Sequence, residues 1–120
     1  AEGLIFFKAA STYIVFDEPT DEEGSSGITK QTLRFQKDQA TVIRKGLVNM
    51  NQRFILGQET EGSFRSPYGP MAMRTSTKEL TFHWDEKTGQ GTGRVGYTLH
   101  LQNEYAGEYL IQVTIEEDTR

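Results

Sequence analysis

The sequence predicts one all-β domain over residues 1–120, an antiparallel up-and-down barrel of about eight strands. Three observations lead there. Apolar residues recur with a period of two over short runs, most cleanly at Val95, Tyr97, Leu99 and Leu101 and again at Tyr109, Ile111, Val113 and Ile115. The runs follow one another directly, separated by polar turns in a chain with 12 glycines. No stretch holds helical periodicity beyond two turns. A meander of that many strands in a small domain curls into a barrel to dispose of its edges.

The totals set the limits. A length of 120 residues suits a single domain with a real core and no room for a second. The net charge of −4 works against binding nucleic-acid phosphates or an anionic membrane face, so neither partner is expected. With no cysteine, disulfides and thiolate chemistry are excluded, and a cytoplasmic home is compatible. The longest apolar run, Leu4 to Phe7, is far too short to span a bilayer.

Taken in order, residues 4–8 read as a strand and Ala9-Ala10-Ser11 as a tight turn. Residues 12–18 form a second strand of β-branched and aromatic residues. On it Glu18 shares a face with Ile14 and Phe16. Residues 19–27 combine proline, a run of acids, glycine and serine, which reads as a solvated loop. The ordered acidic spacing of a calcium loop is missing there.

Residues 28–36 and 40–45 make a hairpin turning at Lys37-Asp38-Gln39, with Leu33 and Phe35 facing in and Gly46 ending the second strand. Residues 47–56 follow, with Val48, Met50, Gln52, Phe54 and Leu56 on the core face and Arg53 facing out. Gln58 to Gly62 reads as a polar turn, and Ser66-Pro67-Tyr68-Gly69 as a bent connection.

The central strand runs from about Met71 to Trp84. Its two apolar blocks, Met71 with Met73 and Leu80 with Phe82 and Trp84, would lie on opposite sides of an unbroken strand. A bulge between about Thr75 and Glu79 is therefore expected. A loop at 85–91, a strand at 92–103, a turn at Tyr105-Ala106-Gly107 and a last strand at 108–116 complete the reading.

Signatures of chemistry are sparse. His83 and His100 sit on strands without a second histidine at metal-binding spacing, and no metal site or cofactor is expected. No nucleophile elbow or local triad occurs, so the chain reads as a non-enzyme. The glycines of Gly89 to Gly93 lack the strand-to-helix setting of a phosphate cradle and read as a hairpin turn.

Several short signals fall in one order: Glu18 ending an aromatic strand, Arg44-Lys45-Gly46, Arg53-Phe54, Gly57, Ser66-Pro67-Tyr68-Gly69 and Thr75-Ser76-Thr77-Lys78. Over nearly the whole chain this series resembles the YwiB-like family, small bacterial β-barrel proteins of unknown function. The resemblance implies a calycin-like (lipocalin-like) barrel, a cytoplasmic bacterial setting and no assigned reaction. Members usually carry a further strand ahead of the one beginning near Gly3. The barrel expected for this chain lacks that N-terminal strand.

The candidate ligand contacts are Glu18, Arg44, Arg53, Phe54, Tyr68, Thr75, Thr77 and Tyr97. Glu18, Arg44 and Arg53 would form a charged cluster at one end of a cavity, gripping the head of a small ligand or pinning strand register. Aromatic residues such as Phe54 and Tyr97 would line the interior or fill it, since barrels of this size can do either. Two functions stay open. One is a barrel that holds a small apolar or amphipathic molecule. The other is a filled barrel that acts as a protein-interaction or self-association module, for instance as a homodimer.

Overall fold

Alternation of apolar and polar residues along short segments is realised as strands in a computed structural model of the chain. It describes residues 3–8, 10–19, 28–46 and 48–117, with Glu18, Pro19, Ile28 and Ser66 described in backbone only. The strands are β1 (Gly3–Lys8), β2 (Ser11–Pro19), β3 (Ile28–Gln36), β4 (Gln39–Lys45), β5 (Asn49–Ile55), β6 (Glu59–Ser66), β7 (Gly69–Asp85), β8 (Gln90–Leu101) and β9 (Glu104–Glu116). They form one antiparallel sheet in sequence order, β1 to β9. Among the described residues β1 and β9 do not pair with each other, so the sheet is a curled half-barrel with two edges. No helix long and apolar enough to cross a membrane occurs among them.

The curl shows in contacts between strands that are not neighbours. Phe35 on β3 stacks on Phe82 of β7 at 4.9 Å, Phe54 on β5 meets Tyr97 of β8 at 4.7 Å, and Phe7 on β1 meets Trp84 of β7 at 5.7 Å. The core cluster joins Ile14, Leu33, Phe35, Ala40, Val42, Phe54 and Val95. Each is the inward member of a period-two strand. Gly93 is small because Phe35 needs its space: a β-carbon there would lie 2.7 Å from the Phe35 ring. Ring against glycine lets β3 and β8 approach closely across the curl.

The expected bulge is present. Thr77 pairs with Tyr97, and Glu79 pairs with Gly96, so the register slips by one residue at Lys78. Met73, Thr75 and Thr77 therefore share the concave face with Leu80, Phe82 and Trp84. The β5–β6 turn docks on this slip, with Gly57 donating to the Thr77 carbonyl at 2.9 Å and Thr77 donating to the Gln58 carbonyl at 3.2 Å.

Two segments differ from the sequence reading. The stretch read as a polar turn at Gln58 to Gly62 mostly belongs to β6, which brings the strands to nine among the described residues. That strand carries one large apolar residue, Phe64, because its inward positions Thr60 and Gly62 face the amide of Gln52 rather than a greasy core. The turn placed at Tyr105 to Gly107 instead falls at Gln102 and Asn103, both with positive φ (51° and 67°), the pattern of a tight hairpin turn. Gln102 is held there by Ala72: its backbone N–H donates to the Ala72 carbonyl at 3.0 Å, and its Oε1 accepts from the Ala72 N–H at 3.4 Å. Ala9, Leu47 and residues 20–27, where a solvated loop is expected, lie outside the described residues.

Candidate functional site

Period-two alternation decides which candidate residues can meet. On β5 it turns Gln52 and Phe54 inward and Arg53 outward, so Phe54 is fully buried while Arg53 is exposed opposite Thr41. On β4 it turns Arg44 inward with Ala40 and Val42. Arg44 and Arg53 thus lie on opposite faces and do not share one end of the interior. Glu18 pairs in backbone with Thr29, and its side chain lies outside the described residues. Tyr68 is fully exposed on the turn between β6 and β7.

The remaining four candidates converge. Thr75 and Thr77 are buried on β7, Tyr97 is the register partner of Thr77, and Phe54 packs on the Tyr97 ring. At the centre is Gln52, 0% exposed. Its Nε2, with two hydrogens to share, lies 2.7 Å from the Arg53 carbonyl, 3.1 Å from Thr60 Oγ1 and 3.1 Å from Thr75 Oγ1. The Thr60 hydroxyl also donates to the Arg53 carbonyl and lies 3.2 Å from Thr75 Oγ1. These side chains knit β5, β6 and β7 together just beyond the last paired residues of the β5–β6 ladder, Asn51 and Ser63.

Gln52 Oε1 and Thr77 Oγ1 are buried without a hydrogen-bond partner. An orphaned buried acceptor normally calls for a water or a ligand. Here the side chains are closed off, and Oε1 lies in the space a β-carbon at Gly62 would take. The side-chain hydrogen bonds that join β5, β6 and β7 make the node a structural lock. In the sequence Gln52 stood out as the polar residue on an apolar face. Thr60 and Gly62 were hidden inside the segment read as a turn.

Burial pushes the Tyr97 phenol above its ordinary pKa of 10.0, and the charge of Tyr109 adds to the rise. The two rings stack at 5.9 Å. Beside them opens a groove of about 320 Å³ lined by Lys78, Glu79, Gly96, Tyr97, Thr98, Glu108, Tyr109 and Leu110. It forms where the β7 bulge faces a side-chain-free position on β8, a juxtaposition of three strands that no local pattern announces. Around it run exposed ion pairs, Arg94 to Glu79 at 2.7 Å and Lys78 to Glu108 at 3.6 Å. Pairs this exposed are worth little to stability.

A second region lies along one register row at the other end of the sheet. Phe16, Gln31, Arg44, Met50, Phe64 and Met71 are successive cross-strand neighbours from β2 to β7, all half-buried. The row sets one guanidinium among apolar side chains. Neither histidine belongs to either region: His83 is exposed, and His100 packs edge-on against Tyr105 at 5.8 Å. Among the described residues no group of three or more histidines and carboxylates could hold a metal ion.

Comparison with known proteins agrees with this architecture. The profile of a family described as a domain of unknown function, DUF1934, matches residues 1–113. An uncharacterized beta-barrel protein of Bacillus subtilis (strain 168), YwiB, is 27% identical over 117 residues, covering 98% of this chain and 78% of the relative. The crystal structure of the ywiB protein from Bacillus subtilis matches with a TM-score of 0.78 at 26% identity, over 98% of this chain and 75% of that one. The resemblance read from the ordered signals and the all-β barrel fold are both borne out.

Proposed function

This chain belongs to the DUF1934 family of unknown function, and from that premise we propose that it is a non-enzymatic β-barrel interaction module. It holds a partner at its open side rather than a small molecule in its middle. One observation carries the reading: aromatic rings stack across the core, while six of the eight large hydrophobic side chains exposed among the described residues lie on the two edge strands. Rings stack across the core, Phe35 on Phe82 and Phe54 against Tyr97. Leu4, Phe6 and Phe7 on β1 are 70%, 44% and 54% exposed, and Tyr105, Tyr109 and Leu110 are exposed on β9. Apolar patches of this kind mark interaction surfaces, and unpaired edges are templates for further pairing. The exposed position of His83 and the packing of His100 on Tyr105 support a role without catalysis.

The test is the native mass of the full-length protein purified gently from its own host. The module reading expects the mass of the chain, alone or joined to protein, with no small-molecule excess. An excess of small-molecule size that leaves on denaturation would overturn it.

That outcome would favour a second reading, which has its own observation. The half-buried row around Arg44 offers apolar walls and one cation to an amphipathic molecule. On this reading Arg44→Met loses the bound molecule. If it lowers only stability, the ligand-grip role falls.

A further inference from the structure

β3, β4 and β5 sit in the interior of the sheet, each paired on both sides. In a chain where acids outnumber bases 17 to 13, these strands carry Lys30, Arg34, Arg44, Lys45 and Arg53 and no aspartate or glutamate. Alternation turns all of these but Arg44 to the outer face. Lys30 stands directly opposite Lys45, and Thr41 lies between Arg34 and Arg53. A neutral row, Thr32, Ile43 and Asn51, runs between the two charged ones.

Two observations separate this face from an ordinary solvated surface. The first is missing counter-charge. On β7 and β8, Arg74, Lys78 and Arg94 each pair with a glutamate. Among the described residues none of Lys30, Arg34, Lys45 and Arg53 is ion-paired, and neither is Asp17, the neighbour of Lys30 on β2. Lysines facing one another across a ladder repel, a local cost that a bound anion would remove. The second is the posture of Arg34. Its Nε and Nη2 donate to Ser11 Oγ at 3.2 Å, and its guanidinium lies over the Tyr13 ring at 5.4 Å. A guanidinium held in place in this way receives a carboxylate with little further ordering.

Charge complementarity makes the occupant anionic, and the layout favours protein over nucleic acid. The two charged rows lie four residues, roughly 13 Å, apart along the strands. Ile43 is half-buried between them. Carboxylates at both ends of a short segment and an apolar side chain in its middle match that layout. The Tyr13 ring lies between Phe6 and Arg34, so it offers no open face to a stacked base. The net charge of −4 repels a long polyanion.

We infer that the outer face of β3, β4 and β5 docks a short acidic segment of a partner protein. Its carboxylates meet Arg34 and Arg53 at one end and Lys30 and Lys45 at the other. This surface is separate from the edge strands of the interaction reading and goes beyond it.

The experiment uses the full-length protein and a fluorescent peptide alternating glutamate with valine. Its lysine counterpart and a single-stranded RNA are run beside it, all by anisotropy at low and high salt. The glutamate peptide alone should bind, and salt should weaken it. Lys45→Gln/Arg53→Gln, at two exposed positions, should weaken binding about tenfold, within what two exposed charge pairs supply, with the urea midpoint unchanged. Arg74→Gln, at a cation already paired, should leave binding unchanged. Binding of the glutamate peptide that survives Lys45→Gln/Arg53→Gln lies elsewhere and overturns the inference. Equal binding of the lysine peptide, or RNA binding in place of the glutamate peptide, overturns it too. So does a failure of the glutamate peptide to bind. Self-association abolished by the same variant would then put a second copy on this face. Binding regained in Asp21→Asn/Glu22→Gln/Glu23→Gln would put the chain's own acidic run there.

Discussion

The carboxamide oxygen of Gln52 occupies the space a side chain at Gly62 would need. A β-carbon at Gly62 would clash with Gln52 Oε1 and come within 2.7 Å of the Asn51 carbonyl. The two residues, on neighbouring strands, therefore constrain each other. Gln52 is long enough to reach Thr60 and Thr75 only because Gly62 leaves it room.

Gly62→Ala should destabilise the protein by about 1–3 kcal/mol, the range for forcing extra volume into a packed site. Gln52→Ala alone should cost about 2–4 kcal/mol through lost packing and lost hydrogen bonds. Combined, the two should cost less than their sum, because truncating the Gln52 side chain takes away the carboxamide that a β-carbon at Gly62 would strike. Urea denaturation of the singles and the double measures the coupling. Strict additivity would show that the contact carries no energy.

Deletion of Lys78 should abolish cooperative folding, whereas Lys78→Ala should change stability by less than about 0.5 kcal/mol. Lys78 is the extra residue at the register slip between Thr77 and Glu79. Without it, Leu80, Phe82 and Trp84 would swing to the outer face, taking Phe82 off Phe35. A deletion variant with a normal thermal transition would refute the assignment of the bulge.

At Gly93 the limiting neighbour is an aromatic ring. Gly93→Ala should cost about 1–3 kcal/mol, since its β-carbon would lie 2.7 Å from Phe35. Phe35→Leu should restore part of that loss in the double variant while being costly by itself. Thermal melts of the four proteins give the answer.

Alkaline pH should expose the burial of Tyr97. Its pKa is raised above 10.0 in the folded state by burial and by Tyr109. Below pH 10 the phenol is neutral whether folded or unfolded, so its contribution to stability is fully present there. As pH climbs from 10 through the higher folded value, the unfolded chain ionises first and stability is lost. Tyr97→Phe should flatten that decline in urea midpoints measured across the alkaline range. An unchanged slope would mean that Tyr97 is not the responsible group.

What could be read from the residues is the part of the fold that depends on local alternation. The inward sets Leu33 with Phe35, Met50 with Gln52 and Phe54, and Val95 with Tyr97 and Leu99 follow from the period of two. So does the outward position of Arg53. The bulge was legible for the same reason: two apolar blocks of opposite parity on one strand demand an extra residue between them, and Lys78 supplies it. β6 escaped because a strand whose inward positions are Thr60 and Gly62 shows no apolar alternation to read.

Tertiary structure alone decided which inward residues meet. Gln52, Thr60 and Thr75 are 8 to 23 residues apart in the chain, and their hydrogen bonds exist only because β5, β6 and β7 lie side by side. The groove at Leu110 and the ring of Phe35 on Gly93 are likewise products of pairing and curl. Strand periodicity specifies a face; register and curvature specify the neighbour. They depend on contacts between distant segments, which leave no local periodic trace in the sequence.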